Sequence, residues 1–197
     1  NMQSQLDILE RQEKLAKIDL QKNNSILTKL RRQFASKLED TLVKYLKPLG
    51  LENIKFRVDF SSCDSSLMGS DIIQFMFSAN EGEPLAPLAE IASGGEISRF
   101  LLVMTKIFAE ESGSSTLIFD EIDSGVSGRI SSSIAELLKE LSLSKQVFCI
   151  THQPLVAAAA DHHFSVSKIV ENGKTNSKVL LLKDFGDRQS ALAKLAG

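Results

Sequence analysis

Two adjacent carboxylates, Asp120 and Glu121, follow the short apolar run at residues 116–119. Acidic side chains at the end of a buried strand are costly unless they reach solvent or a ligand. Asp120 could hold Mg²⁺, which proteins bind through one or two carboxylates together with substrate phosphates. Glu121 could accept a proton from an attacking water. The start of a solvated loop would use the same residues, so the pair alone leaves both interpretations open.

A second feature, Ser93-Gly94-Gly95-Glu96, has the form of a capping box at the start of a helix. A serine followed three residues later by a glutamate satisfies two of the free N–H groups at a helix start. The two glycines leave the backbone bare at the same place, which suits a phosphate or another anion. An ordinary capped helix would look the same, because Gly-Gly before a helix is common.

One histidine, His152, follows the apolar run at residues 146–150. It could hydrogen-bond a γ-phosphate or orient an attacking water. A histidine at a strand end is more often bonded to nearby backbone, so by itself it predicts little. Asp123, in the turn after the acidic pair, is a further candidate.

Other constellations do not support a site. His162 and His163 are adjacent, and neighbouring strand residues point to opposite faces, so they do not readily share one metal ion. Cys149 lies inside an apolar run without an orienting third group, which argues against a nucleophile–base pair with the nearby histidine. Residues 173–175 end like a phosphate-binding P-loop, but the glycine required five residues earlier is Lys168.

The order of the predicted elements brings the candidate residues to one edge of a sheet. The two apolar runs are predicted strands. Between them lies a predicted helix from about residue 127 to 141, with Ile134, Leu137, Leu138 and Leu141 facing inward. Strand–helix–strand order favours a right-handed parallel crossover unit, whose ligands lie beyond the carboxyl ends of the strands. We therefore predict an α/β domain with a mainly parallel sheet, flanking helices and strands buried on both faces.

Residues 1–47 are predicted to form one long helix. They contain no Gly or Pro, and apolar residues recur at alternating steps of three and four. The seam runs through Leu6, Leu9, Glu13, Ala16, Leu20, Asn23, Leu27, Leu30, Phe34 and Lys37. It favours a coiled coil, while its polar breaks leave open an amphipathic helix packed on its own domain. The uncapped start suggests a helix that continues a longer coil.

Two hairpins flank the crossover unit in the predicted order. Residues 54–60 and 71–78 alternate between apolar and polar side chains, as half-buried strands do. The polar link at residues 61–70 is expected to be too long for a tight turn. Residues 163–183 are predicted to form a second hairpin around Asn172-Gly173.

Composition restricts the class of protein. An apolar fraction of 43% can fill a core, and a net charge of −2 gives no overall basic field for nucleic acid or membrane. Any contact with DNA must therefore come from a local patch or another part of a larger protein. The two cysteines form neither a disulfide framework nor a metal motif. No apolar run approaches the length of a membrane span, so we expect a cytoplasmic setting without a membrane partner.

The motifs occur together in an order that resembles the carboxyl-terminal lobe of an ABC-type ATPase head. The correspondences are residues 93–96 with the signature motif, 117–121 with the Walker B strand, 122–125 with the D-loop and His152 with the switch histidine. Residues 91–99, 119–129 and 151–154 look like the RecN family of bacterial DNA-repair proteins, which are SMC-like. In that family an antiparallel coiled coil separates the two lobes of the head.

This resemblance implies ATP and Mg²⁺ as cofactors and a set of residue roles. It gives Asp120 to the metal, Glu121 and His152 to catalysis, and nucleotide binding to Ser93, Gly94, Gly95, Glu96 and Asp123. Residues 1–47 would be the returning coil helix, and residues 48–197 the carboxyl-terminal lobe. The implied partners are an N-terminal lobe that carries Walker A, a second head in a homodimer, and nucleoid DNA undergoing double-strand break repair. Without Walker A, this chain alone is expected to be inactive.

Three alternatives stay open at this point. A different SMC-like head would carry the same motifs. A transport ATPase with a membrane partner is disfavoured by the coil and by the continuation Glu96-Ile97-Ser98-Arg99. A structural module that has lost catalysis is disfavoured because both carboxylates of the acidic pair are present.

Overall fold

The computed structural model describes residues 2–90, 94–109, 113–120, 122–126, 128–171 and 174–197. The chain divides into two compact units. The first comprises Asn1–Lys44 and Asn53–Ile91, and the second comprises Tyr45–Glu52 and Ala92–Gly197. None of the described helices is both long and apolar enough to cross a membrane.

Helix α1 (Met2–Leu46) confirms the long N-terminal helix predicted from the sequence. It runs without interruption because no Gly or Pro occurs in it. A short 3-10 helix, Lys47–Leu49, follows and ends at Gly50, whose φ is +83°. Glycine is suited to this left-handed position because it lacks a Cβ atom.

The first unit contains an antiparallel sheet of β1 (Lys55–Ser66), β2 (Gly69–Ser78) and β3 (Ala86–Pro87), in that order. The expectation of a long link between the first two strands was wrong. Ser66 pairs with Gly69, so residues 67–68 form a two-residue turn, and Gly69 has a φ of +98°. The polar Ser/Cys/Asp segment simply extends the two strands along the solvent-exposed part of the hairpin.

Polar contacts join α1 to the β1–β2 hairpin within the first unit. The buried Asn24 amide donates to Ser65 Oγ at 2.9 Å, and the Arg31 guanidinium donates to Met68 O at 2.7 Å. Near the other end, the Val58 N–H donates to a Glu39 carboxylate oxygen at 2.7 Å. These contacts use a helix face different from most of the predicted coiled-coil seam.

The predicted seam itself is largely exposed. Phe34 retains 68% of its accessible surface, and Leu6, Leu9, Leu20 and Leu30 are also exposed. The second half of α1 therefore packs one face against the β1–β2 hairpin. A separate apolar stripe of α1 is exposed. Pairing of that stripe with another helix stays a prediction.

The second unit carries most of the α/β structure. Its elements are α2 (Gly94–Ile107), β4 (Thr116–Asp120), α3 (Gly128–Ser142), β5 (Gln146–Ile150), α4 (Pro154–Ala159), β6 (His163–Glu171), β7 (Lys174–Leu182) and α5 (Phe185–Ala196). β4 pairs in parallel with β5, and β6 pairs antiparallel with β7. The α/β class and the strand–helix–strand unit are thus confirmed. The sheets are small, and among the described strands the parallel pairing is that of β4 with β5.

Helix packing in this unit follows the sequence closely for α3 and less closely for α2. The four inward residues predicted for α3, Ile134, Leu137, Leu138 and Leu141, are all buried. In α2, Phe100, Leu102 and Val103 are buried and Leu101 is exposed, and Phe108, just after the helix, is also exposed. The apolar residues of α2 therefore lie on more than one helix face.

The parallel pair is covered on one face. Phe119 is buried, whereas Ile118 retains 71% of its surface and Phe148 and Ile150 are exposed. The prediction of strands buried on both faces is therefore wrong for the described chain. Successive strand side chains point to opposite faces, so the exposed residues form one apolar face of the sheet.

Candidate functional site

The start of α2, the carboxyl end of β4 and the turn after it line one cavity of about 600 Å³. Its described lining residues are Gly94, Gly95, Glu96, Ser98, Arg99, Asp120, Ser124 and Gly125. Four residues predicted from two separate motifs are thereby brought together: Gly94, Gly95, Glu96 and Asp120. Ser93 and Glu121, which were also predicted site residues, lie outside the described residues.

The two glycines of the cavity differ in their surroundings. A Cβ atom built on Gly95 would lie 3.1 Å from Ser124 O and 3.3 Å from Arg99 Nη1, whereas one on Gly94 would meet none of the described residues within 4 Å. The first turn of α2 therefore packs against the backbone of the turn after β4. This close approach favours glycine at position 95, because a larger residue would have to displace its neighbours by a few tenths of an ångström.

A buried cation, Arg99, forms part of the cavity wall. It is 8% exposed, and its Nε has no hydrogen-bond partner in the part of the chain that the structure describes. Burial lowers the pKa of the guanidinium, and the carboxylate of Glu96 partly opposes that shift. A buried charge without full compensation is costly, so an anion entering the cavity would be stabilised there. The N-terminus of α2 lies beside Arg99 and also favours an anion, because its first N–H groups carry partial positive charge.

Asp123 and His152 are not among the described residues that line the cavity, so their contact with a nucleotide stays a prediction. The side chain of Asp123 is 1% exposed, and it accepts a hydrogen bond at Oδ2 from the Thr151 hydroxyl. His152 Nδ1 is 3.7 Å from the other carboxylate oxygen, Oδ1, which has no hydrogen-bond partner among the described residues.

Gln153 connects the end of β5 to the turn after β4 through hydrogen bonds. Its backbone N–H donates to Thr151 Oγ1 at 3.0 Å, and its side-chain amide donates to Val126 O at 3.3 Å. Ser131 Oγ, from α3, lies 3.4 Å from Gln153 Oε1. His152 sits on this frame with 66% of its side chain exposed.

Thr151 and Gln153 were not singled out from the sequence. The sequence gives little indication of their role, because polar residues on either side of a histidine are common in a loop that follows an apolar run. Pro154, the first residue of α4, could have marked the segment as a fixed junction between strand and helix.

The donor set available for a metal fits Mg²⁺ only in part. Asp120 is exposed and lines the cavity, and the described residues include no group of three or more His, Cys, Asp or Glu that could hold an ion. One carboxylate suffices for Mg²⁺ when substrate phosphates and waters supply the remaining ligands. The residues thus fit a metal that arrives with a nucleotide better than a resident one.

Cys149 lies close to the same acidic residues. Burial raises the pKa of its thiol to about 12, and the charges of Asp123 and Asp120 add to the shift. The thiol therefore stays protonated and unreactive at neutral pH, which agrees with the prediction of a structural cysteine.

Comparison with known proteins places this geometry in a family. Residues 3–158 match a family model described as AAA domain, putative AbiEii toxin, Type IV TA system. The chain is 45% identical over 203 residues to the DNA repair protein RecN of Synechocystis sp., covering 94% of this chain and 35% of that protein. The chain therefore spans about a third of the length of the curated relatives that it matches.

Solved structures give the same fold. The SMC head domain of Pyrococcus yayanosii, with a coiled coil and joint, superposes with a TM-score of 0.62 at 20% identity, covering 85% of this chain and 30% of that one. A structure from work on ATP-driven dimerisation and DNA-stimulated activation of SMC ATPases gives a TM-score of 0.53 at 19% identity, covering 86% and 97% of the two chains. These matches confirm the predicted resemblance to RecN and the SMC-head type of fold.

Proposed function

The chain belongs to the AAA domain family that its residues 3–158 match, and we propose that it forms the carboxyl-terminal lobe of an SMC-like ATPase head that acts in DNA double-strand break repair. The observation that carries this proposal is the shared cavity, in which the start of α2 meets the carboxyl end of β4. Similarity to RecN over 94% of the chain supports the repair function over that of a transporter.

One face of the β4–β5 sheet is apolar and exposed, which supports the proposal that a second lobe packs against it. Ile118, Phe148 and Ile150 stand on β4 and β5 without cover from the described chain. Apolar surface of this kind usually marks an interface. The relatives are about three times as long, and an N-terminal lobe carrying the P-loop would cover this face.

The exposed apolar seam of α1 supports the proposed antiparallel coiled coil. Its outward leucines leave an apolar stripe along a helix that is 45 residues long. A partner helix running in the opposite direction would bury the stripe, as in an antiparallel coiled coil. The returning half of such a coil would then lead directly into the β1–β2 hairpin and the second unit.

The candidate residues fall into two groups. Glu121 would accept the proton of the attacking water, and Asp120 would hold the Mg²⁺ that arrives with ATP in its own head. Mg²⁺ bound there would neutralise the charge that develops on the transferring phosphoryl group. His152, exposed at the end of β5, would contact the reacting water or phosphate from the same head.

The start of α2 forms the second group. Gly94 and Gly95 lie in the first turn of α2, and buried Arg99 adds a positive charge beside them. The resemblance to ABC-type heads adds Ser93 to this group and assigns the surface to the γ-phosphate held by a second head. Two heads then enclose two nucleotides in a homodimer, and closure holds DNA ends together.

The proposal is tested with Glu121→Gln in the longer protein, with Glu136→Gln on the exposed side of α3 as a matched control. Glu121→Gln should bind ATP, lose roughly 10²-fold or more in turnover and accumulate closed dimers, because only the proton acceptor is removed. The control should hydrolyse ATP at the wild-type rate. Undiminished turnover in Glu121→Gln would remove that residue from catalysis.

A further inference from the structure

The orientation of the Gln153 side-chain amide is fixed by two neighbours. Val126 O is a backbone carbonyl and can only accept, so the group 3.3 Å from it must be the NH₂ of the amide. The amide oxygen then faces Ser131 Oγ, whose hydroxyl can donate to it. A flipped amide would place two acceptors against each other at Val126.

This orientation determines what the histidine ring must do. Gln153 Nε2 also lies 3.3 Å from His152 Nε2. Since the amide nitrogen is a donor only, the ring nitrogen must accept, and it therefore carries no proton. A doubly protonated ring would set two donors against each other. The single ring proton consequently belongs on Nδ1.

The contact on the other side of the ring also places the proton on Nδ1. Nδ1 lies 3.7 Å from Asp123 Oδ1, a buried carboxylate oxygen to which none of the described residues donates a hydrogen bond. The second oxygen, Oδ2, already accepts from the Thr151 hydroxyl, so that carboxylate is held in place. An N–H on Nδ1 is the donor that Oδ1 lacks, and a shift of a few tenths of an ångström completes the bond.

We propose that Asp123 and Gln153 are positioning residues that hold His152 as the neutral Nδ1–H tautomer, with Nε2 as a hydrogen-bond acceptor. An acceptor can take a hydrogen bond from a water but cannot donate one to a phosphate oxygen. The arrangement therefore assigns His152 to orienting the attacking water, which takes the place of the Gln153 N–H on Nε2. This consequence rests on the proposed function, whereas the tautomer does not.

The tautomer can be read directly by ring ¹⁵N NMR on the labelled chain, which has three histidines. His152 should show a protonated Nδ1 and an unprotonated Nε2 at a pH where the ring is neutral. The adjacent pair His162 and His163 gives an internal reference. A protonated Nε2 on His152 in the wild-type chain would overturn the proposal, whatever the variants do.

Two substitutions made together should reverse the tautomer with little change in side-chain size. Asp123→Asn, with its oxygen facing Thr151, places an NH₂ opposite Nδ1, and Gln153→Met removes the donor opposite Nε2. The double variant should carry its ring proton on Nε2, whereas Gln153→Met alone, which keeps the Asp123 acceptor, and Gln74→Glu in β2 should leave the proton on Nδ1. A folded double variant with an unchanged His152 spectrum would contradict the proposal.

Turnover of the longer protein separates this inference from the proposed function. The double variant should have a kcat roughly tenfold or more below that of Gln153→Met, because only the double variant loses the Nε2 acceptor that orients the water. A reversed tautomer with unchanged kcat would overturn the water-orienting role. Absence of ATPase activity in the wild-type protein would instead overturn the proposed function and leave the tautomer standing.

Discussion

The backbone of Ser124 lies against Gly95 so closely that a Cβ atom on the glycine would be 3.1 Å from Ser124 O. The glycine lies in the first turn of the candidate anion-binding helix α2, and the serine belongs to the turn that follows the acidic strand. A side chain at position 95 would therefore press on the backbone of that turn.

Gly95→Ala should destabilise the chain more than Gly94→Ala does. The new methyl at position 95 must displace a backbone oxygen slightly, and overpacking of this kind typically costs about 1–3 kcal/mol. At position 94 no atom of the described residues lies within 4 Å of the added Cβ, so the substitution should be tolerated. Thermal unfolding of the two variants checks this difference. Equal unfolding midpoints would show that the Ser124 backbone moves to accommodate the methyl without loss of stability.

In the first unit, Asp71 makes the stability of the hairpin sensitive to acid. The Thr28 hydroxyl lies 2.8 Å from both of its oxygens and shares its one proton between them, and Arg31 pairs with it at 3.0 Å. These contacts, the Thr28 hydrogen bond first, lower the pKa of the carboxyl below its ordinary value of 3.8. The unfolded chain therefore takes up the proton first as the pH falls, so the stabilisation is present above about pH 4 and is lost below it.

Asp71→Asn should remove this part of the acid sensitivity. Unfolding midpoints of the variant and the wild type, measured from pH 6 down to pH 2, should differ most at the upper end and converge at the lower. Asp64→Asn, at an exposed position of β1, is the matched control and should keep the wild-type profile. Parallel curves for wild type and Asp71→Asn would contradict the assignment.

The two cysteines should differ sharply in reactivity. Cys63 is exposed, whereas burial raises the pKa of the Cys149 thiol to about 12. Since the thiolate is the reactive species, a thiol probe at pH 8 should label Cys63 and spare Cys149 in the folded chain. Mass spectrometry of the labelled peptides checks this, and both sites should react after denaturation. Rapid native labelling of Cys149 would mean that the end of β5 opens readily.

Much of the site could be predicted because strand order and motif order act together. The acidic residues and His152 follow apolar runs, and parallel strands deliver their carboxyl ends to one edge. The helix between them was also predictable, since its four inward leucine and isoleucine positions follow one stripe. The recognised motif order added the role of α2, which periodicity alone left as an ordinary capped helix.

What could not be predicted depends on tertiary contacts. The turn at residues 67–68 lies within a polar run in which nothing signals a two-residue hairpin except Gly69. Ile118 was expected to be buried because an apolar run does not say whether its second face is covered by this chain or by another. Thr151 and Gln153 acquire a role only when the turn after β4 approaches them.

The proposed enclosure of ATP between two heads is tested most directly by mixing two impaired variants of the longer protein. Ser93→Ala damages the signature, and Glu121→Gln damages the proton acceptor. If the signature acts on the partner's nucleotide, a mixed dimer contains one site in which both residues are intact. Each variant alone should show little turnover. An equal mixture should recover up to about a quarter of the wild-type rate, because half of randomly formed dimers are mixed and each has one complete site. A mixture as inactive as its components would contradict the account and place both residues on the same nucleotide within one head.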